Sequence, residues 1–319
     1  VKASAVAHPI QGLIKYHGLA DPVLRLPYHD SISVCTAPLT TRTTIEFGDF
    51  VRDSAIIDGQ PATAHDMERI RSVVDAIRAR ASLDRPFRLA SVNSFPSNVG
   101  LGASASGFAA LALAASRAAG LELGLEDVSR FARRGAGSAS RAVTGAFSKW
   151  KMGVTDEDSY AVRLAGEDLE MAMIVALIPA HKETEDAHRE APTSPFFHAR
   201  LAEMPRMIAE MELAIRTRDV GRICALAERD TLMLHGITMT GATEIVLWRP
   251  ETLRVILAVR KLRDAGVPAF FSIDTGATVY VNTRPDHADE VQRAIEALGI
   301  ETIPCRVGGP ARMTDEHLF

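Results

Sequence analysis

Between Pro96 and Gly107 the chain reads Pro96-Ser97-Asn98-Val99-Gly100-Leu101-Gly102-Ala103-Ser104-Ala105-Ser106-Gly107. Glycine has no Cβ, so the backbone at Gly100, Gly102 and Gly107 can approach a ligand closely. A small, apolar segment suited to a helix follows, and a helix start presents N–H groups and the positive end of the dipole. Together these make an anion site suited to the phosphates of ATP. The hydroxyls of Ser104 and Ser106 can add donors or orient a bound Mg²⁺. The loop is not a Gly-Lys-Ser/Thr P-loop, and its glycine spacing is not that of a dinucleotide site. Taken alone, the same residues also suit a tight turn capping a buried helix.

Three charged residues are candidates for the rest of a reaction centre. Asp274 sits between a short apolar segment and Gly276, where a carboxylate at a turn can reach a hydroxyl; taken alone it also suits an ordinary turn. Arg141 offers a planar fork for a carboxylate, although a surface ion pair is its commoner use. Lys15 can neutralise charge near a transferred phosphate, although taken alone Lys15-Tyr16 is more often an edge-strand feature. His8, His17 and His29 read as hydrogen-bonded structural histidines, and zinc-type spacing is absent.

These groups need elements to hold them. Residues 41–47 alternate and are β-branched, which predicts a strand. Met67, Ile70, Val73, Val74, Ile77 and Ala81 recur at helical spacing and predict a helix over 65–81. A strand over 87–92 leads into the glycine loop, and helices over 104–119 and 125–134 follow. The run 171–179 is continuously apolar, as in a buried strand. Beyond it, helices are predicted over 198–218, 252–265 and 286–298, with strands at 269–273, 278–282 and 301–305. Mixed helices and strands define an α+β class, with a division into residues 1–175 and 176–319.

Composition narrows the function. The 319 residues are 47% hydrophobic and 24% charged, the profile of a folded globular chain. With 36 basic against 40 acidic residues and a net charge of −4, the basic excess of a nucleic-acid binder is missing. The cluster Arg130, Arg133, Arg134 and Arg141 is too short to replace it. The longest apolar runs fall short of the ~18–20 residues that cross a bilayer, and Val1–Ala5 has no apolar leader core. Three distant cysteines, Cys35, Cys224 and Cys305, argue against a disulfide framework and suggest a reducing cytoplasm.

Several segments, in collinear order, resemble one family. Pro96 to Ser104 looks like the Pro-x-x-x-Gly-Leu-Gly-x-Ser phosphate loop of the GHMP kinase superfamily, and Asn93-Ser94-Phe95-Pro96 is similar to the Asn-Asn-Phe-Pro of its mevalonate diphosphate decarboxylase branch. Ile14-Lys15-Tyr16-His17-Gly18 resembles that branch's Ile-Lys-Tyr-Trp-Gly-Lys. Leu26-Pro27-Tyr28-His29-Asp30-Ser31 resembles Leu-Pro-x-Asn-x-Ser. Arg134-Gly135-Ala136-Gly137-Ser138-Ala139-Ser140-Arg141 resembles Arg-Gly-Ser-Gly-Ser-Ala-Cys-Arg, and Phe271 to Ala277 resembles Thr-Phe-Asp-Ala-Gly-Pro-Asn. Thr193-Ser194 falls at a similar Thr-Ser segment. The chain departs at Gly102-Ala103, where one of two adjacent serines is missing.

The resemblance implies a two-domain GHMP kinase-like fold, with an N-terminal ribosomal-protein-S5-like ATP-binding domain and a C-terminal ferredoxin-like α/β sandwich. It implies ATP and Mg²⁺ as cofactors, a homodimer, and no nucleic-acid or membrane partner. Asp274 would engage a tertiary hydroxyl, Lys15 would neutralise charge beside it and Arg141 would hold a carboxylate. Substrate contacts would come from Tyr16, Arg69, Ser138, Gln11, Leu19 and Ser194. Nucleotide contacts would come from Pro96, Asn98, Gly100, Leu101, Gly102, Ser104, Ser106 and Gly107, with Ser104 also on the metal. The implied reaction phosphorylates the 3-hydroxyl of a mevalonate derivative, then expels that phosphate and CO₂.

The departures address the substrate. Leu19 stands where the diphosphate-using enzymes carry a lysine, so a positive charge is missing where a terminal phosphate would sit. With His8-Pro9-Ile10-Gln11-Gly12, this resembles the subgroup that takes 5-phosphomevalonate and forms isopentenyl phosphate. The alternatives are the diphosphate reaction, a mevalonate 3-kinase that stops before decarboxylation, and a ligand-binding protein with an inactive kinase fold.

Overall fold

A computed structural model describes residues 1–96, 100–180 and 184–319. Two antiparallel-dominated sheets carry it. The first has the order Arg312–Thr314 (β16), Lys2–Ala7 (β1), Thr41–Phe47 (β6), Phe87–Asn93 (β9), Ser54–Ile57 (β7) and Gln60–Pro61 (β8). The second runs Ala161–Ala165 (β11), Phe147–Trp150 (β10), Ser31–Ala37 (β5), Thr302–Val307 (β15), Ala172–Ala176 (β12), Val279–Thr283 (β14) and Phe270–Ser272 (β13), with Ile10–Ile14 (β2) also paired to β5. Leu19–Asp21 (β3) and Leu26–Pro27 (β4) make a short hairpin.

Ala103–Ala118 (α2) lies on the first sheet, and Ala64–Ala81 (α1), Leu125–Gly135 (α3) and Ala139–Thr144 (α4) join it in one core. Ile70, Val73, Val74 and Ile77 are the buried stripe of α1. Its start is fixed by a capping box between Thr63 and Asp66, which satisfies two orphan N–H groups reciprocally. The helix α2 is alanine-rich and buried on nearly every side. Small side chains let it lie close to β1 and β6.

Thr184–Glu190 (α5) is followed by the long helices Phe197–Arg216 (α6) and Val220–Met239 (α7), then by Pro250–Asp264 (α8) and Ala288–Glu296 (α9). The second sheet is buried on both faces. Met173 and Val175 of β12 join the core under α6 and α7, while Ile174 and Ala176 face the core under α8 and α9. A strand covered on both faces is continuously apolar, as 171–179 predicts. The division expected at 175/176 falls at the end of this strand, which pairs with β14 and β15.

The elements predicted from periodicity lie within a few residues of their expected bounds. Those not predicted include β1, β2, β5, β10, β11, α4, α5 and the 20-residue α7. The final segment of the chain also returns to the start: β16 pairs with β1, and Gly308 O accepts from Ala146 N–H at 2.8 Å. At this crossing Gly145 has φ +70°, and a Cβ would lie 2.2 Å from Pro310 N. Gly145→Ala should therefore lower stability by about 3 kcal/mol or more, measured as a lower denaturation midpoint; an unchanged midpoint would contradict the crossing.

Candidate active site

Lys15, just after β2, is 4% exposed. Its ammonium donates to Ser272 Oγ at 2.9 Å and Thr231 Oγ1 at 3.1 Å. It lies 3.8 Å from Asp230 Oδ2 and 3.9 Å from Asp274 Oδ1. A buried ammonium is costly unless paired, and Asp230, itself fully buried, supplies the structural pairing. Asp230 also accepts Lys15 N–H at 2.9 Å and pairs with Arg200 at 2.8 Å. Arg200 in turn donates to Lys15 O at 2.8 Å. Burial lowers the Lys15 pKa, while Asp230 and Asp274 oppose that shift.

Asp274 follows β13 and faces Lys15. Both its oxygens lie within reach of Gly12 N–H, at 3.2 and 3.4 Å. The close approach requires glycine: a Cβ on Gly12 would sit 2.7 Å from Lys15 Cγ and 3.0 Å from Asp274 Oδ1. Arg141, on α4, is 2% exposed, stands over the rings of Tyr16 and Trp150, and leaves Nε and Nη1 without a hydrogen-bond partner among the described residues. Buried donors are normally satisfied; an anion in the adjoining cavity would satisfy these. Burial lowers its pKa to about 10, with Tyr16 and Asp274 opposing, so it stays charged at neutral pH.

The neighbouring histidines are uncharged there. Burial, then Lys15, lowers His235 to about 3, and burial, then Arg200, lowers His29 to about 4. Burial, with His188 and Arg200 adding to it, holds His17 well below its ordinary value. The Thr238 hydroxyl donates to Leu234 O, so it accepts from His17 Nε2 at 2.9 Å.

One cavity is lined by Lys15, Tyr16, Ser138, Arg141 and Asp274 together with Gly12, Gly100 and Gly102. A wider one adjoins it, sharing Tyr16, Ser138, Gly100 and Gly102 and adding Pro96, Leu101, Ser104, Arg25, Arg69 and Arg134. An apolar recess beside the glycine loop is lined by Ile70, Leu89, Phe108 and Leu111, with Arg69, Ser104 and Gly107 at its edge. Gly102 caps α2 in the left-handed region, φ +76°, and α2 has no side-chain cap. Its Cβ would meet Ile10 O at 3.2 Å. The loop's backbone thus packs directly on the strand leading to Lys15.

The remaining candidates have other places. Ser106 is fully buried, its hydroxyl bonded to Thr41 Oγ1 at 2.6 Å, and it lines none of these cavities. Ser194 bonds to Thr240 Oγ1 at 2.7 Å and also lies outside their linings. Gln11 is fully buried, with neither amide atom bonded to a described residue. Leu19 pairs with Pro27 in the β3–β4 hairpin; Pro22, Val23 and Arg25 of that hairpin, rather than Leu19, border the wider cavity. Asn98 lies outside the described residues.

Asp230, Thr231 and Arg200 escaped sequence analysis. The available signal was a carboxylate among Ile223, Leu226, Ala227 and Leu234, an apolar pattern of helical period.

A model of the diphosphomevalonate decarboxylase-like N-terminal domain matches residues 7–161. A phosphomevalonate decarboxylase of Haloferax volcanii is 50% identical, with 99% of this chain and 98% of that protein covered. Among solved structures, MDDEF in complex with MVAPP, AMPPCP and magnesium superposes with a TM-score of 0.93 at 29% identity, covering 99% of both chains. The mevalonate diphosphate decarboxylase of Enterococcus faecalis gives 0.92, also at 29% identity and 99% coverage of both. The chain belongs to the mevalonate-type decarboxylase family of the GHMP kinase superfamily, and has its two-domain α+β fold.

Asp230→Asn should leave Arg200 buried beside a neutral group and cost about 3–5 kcal/mol of stability. In whatever fraction folds, the Lys15 pKa should fall further, so activity should be lost at lower pH on the alkaline side than in the parent. An alkaline limb that does not move would separate Asp230 from Lys15.

Proposed function

We propose that this chain decarboxylates (R)-5-phosphomevalonate at the expense of ATP, giving isopentenyl phosphate, CO₂, ADP and phosphate. The observation that carries it is the single cavity in which Arg141, with donors unused by the described protein, faces the Lys15–Asp274 pair beside a glycine loop. A carboxylate receptor, a hydroxyl-binding carboxylate and a phosphate site are what this reaction requires together. Identity of 50% to the phosphomevalonate enzyme, against 29% to the diphosphate enzyme from Enterococcus, supports the monophosphate as substrate.

In this reading ATP lays its phosphates along Gly100 to Ser104 and its base in the recess of Ile70, Leu89, Phe108 and Leu111. Among the described residues no three metal-ligating side chains come together. The donor set therefore suits a Mg²⁺ carried mainly by phosphate oxygens and water, with the Ser104 hydroxyl as a protein ligand. The ion would neutralise charge on the phosphates.

The substrate's 3-hydroxyl lies against Asp274. Its oxygen bonds to the γ-phosphorus while the bridging P–O bond breaks and ADP departs. In a loose transition state the hydroxyl proton leaves late, so a carboxylate already accepting Gly12 N–H and facing an ammonium suffices to take it. Lys15 lies where negative charge gathers on the transferred phosphoryl group. The C3–O bond then breaks with phosphate as leaving group, and the electrons of the carboxylate's C–C bond form the alkene. Arg141 orients that carboxylate against two aromatic rings rather than a counter-carboxylate, and CO₂, being neutral, releases it.

Residence in the cytoplasm and assembly as a homodimer belong to the same proposal; three free, buried thiols suit a reducing compartment.

Purified protein supplied with ATP should release CO₂ and ADP with a higher kcat/KM for phosphomevalonate than for the diphosphate. A preference for the diphosphate would overturn the substrate, and ADP without CO₂ would make the protein a kinase. Asp274→Asn should lower kcat by about 10³-fold while calorimetric ATP binding is retained; loss of both together would place Asp274 in the nucleotide site instead.

A further inference from the structure

Asp230 supplies the charge opposite Lys15. The next residue on α7, Thr231, is uncharged and fully buried, and every bonding direction of its hydroxyl is taken. Its hydrogen goes to Ala227 O, one turn back, at 2.9 Å; Ser272 Oγ, at 3.4 Å, is the more distant acceptor. Toward its other neighbours the oxygen therefore accepts. It takes one bond from the Lys15 ammonium at 3.1 Å and one from Ile273 N–H at 3.2 Å. Ile273 directly precedes Asp274. One oxygen, held on a helix, is thus bonded both to the ammonium and to the backbone that carries the carboxylate. A β-branched side chain, stiff about χ1 in a helix, suits such a fixed point.

Ser272 completes the arrangement from β13. It too is fully buried. Its hydrogen goes to Gly12 O at 3.2 Å, so it accepts from Lys15 Nζ at 2.9 Å. Gly12 N–H in turn donates to Asp274. Lys15, Ser272, Gly12 and Asp274 therefore form a chain of bonds, closed by the 3.9 Å approach of Nζ to Asp274 Oδ1. An ammonium has three hydrogens. Two go to the hydroxyls, and the carboxylates of Asp230 and Asp274, at 3.8 and 3.9 Å, stand beyond hydrogen-bond length. Among the described residues the third hydrogen has no acceptor, and Lys15 lines the cavity.

We propose that Thr231 is a positioning residue for the reaction: its hydroxyl, together with that of Ser272, sets the separation of Lys15 and Asp274 and leaves one ammonium hydrogen for the phosphoryl group being transferred. This rests on the proposed phosphoryl transfer. Asp230 and Thr231 then act on the lysine in different ways. The carboxylate balances its charge from beyond bonding distance, and the hydroxyl gives it direction without neutralising it.

The test compares the wild-type enzyme with T231V, which keeps the shape and loses the acceptor, and with T231S, which keeps the hydroxyl. T231V should lower kcat about tenfold or more, with KM for ATP little changed. An acceptor lost from a buried ammonium favours its neutral form. Asp230 and His235 on α7, Arg200 on α6, Arg141 on α4 and Asp274 also face Lys15 and are retained in the variant. The alkaline limb of the kcat profile should therefore move about one pH unit lower, and T231S should restore most of both kcat and the limb. A limb that stays in place in T231V, or a T231S enzyme no better than T231V, would overturn the assignment. S272A removes the second acceptor from outside α7 and tests the same point if T231V does not fold: its limb should also move lower, and an unmoved one counts against the proposal. The titration of Lys15 itself, followed by NMR of ¹³C-labelled lysine and assigned by its loss in K15M, needs no turnover. A wild-type enzyme inactive on phosphomevalonate would refute the reaction, whereas a Lys15 titration unchanged in T231V would refute the role of Thr231.

Discussion

A fully buried carboxylate, Asp230, is the constraint around which the site is built. The inner cavity needs an ammonium beside Asp274, and an ammonium out of water needs an anion and acceptors around it. Asp230 provides the anion and is itself buried, so it needs Arg200. Arg200 then closes the circuit on the backbone of Lys15. One network therefore fixes β2, α6 and α7 relative to one another. Ser272, bonded to both Lys15 Nζ and Gly12 O, adds β13. Asp274, two residues further on, needs only a turn to reach its place.

Charge in the cavity is sorted by burial. His17, His29 and His235 surround the network, yet desolvation keeps each neutral. Among the described residues, Lys15 and Arg141 are cations that face Asp274, and they differ in what holds them. Lys15 is surrounded by protein acceptors, so it is placed before any ligand arrives. Arg141 has aromatic faces on one side and, among the described residues, unused donors on the other, so a ligand can supply its remaining partner. The first arrangement suits a group that must be preorganised, the second one that binds and releases.

Much of the fold was legible because periodicity survives wherever an element has one buried face, as in α1, or two, as in β12. Several elements that mix polar and apolar burial were not legible. β5 carries serines and a threonine as deeply buried as its isoleucine and valine, and α7 hides Asp230, Thr231 and His235 among its apolar residues. Of the site, Lys15, Arg141 and Asp274 could be found through local motifs, and they do converge on one cavity. Ser106 and Ser194, which the same motifs single out, bond to Thr41 and Thr240 and lie outside the cavity linings. Partners more than two hundred residues apart, such as Lys15 and Asp230, leave no local signature at all.

The return of β16 to β1 bears on how the chain is made. β1 is synthesised some three hundred residues before β16, and one of its edges stays open until residues 312–314 follow. An open edge is a template for pairing with other chains. Ala146 N–H, close to the Arg141 helix, likewise waits for Gly308. The first sheet and the surroundings of the Arg141 helix are therefore completed only after residues 308–314 have been made, so a nascent chain can build much of its first core early and still have an unfinished cavity.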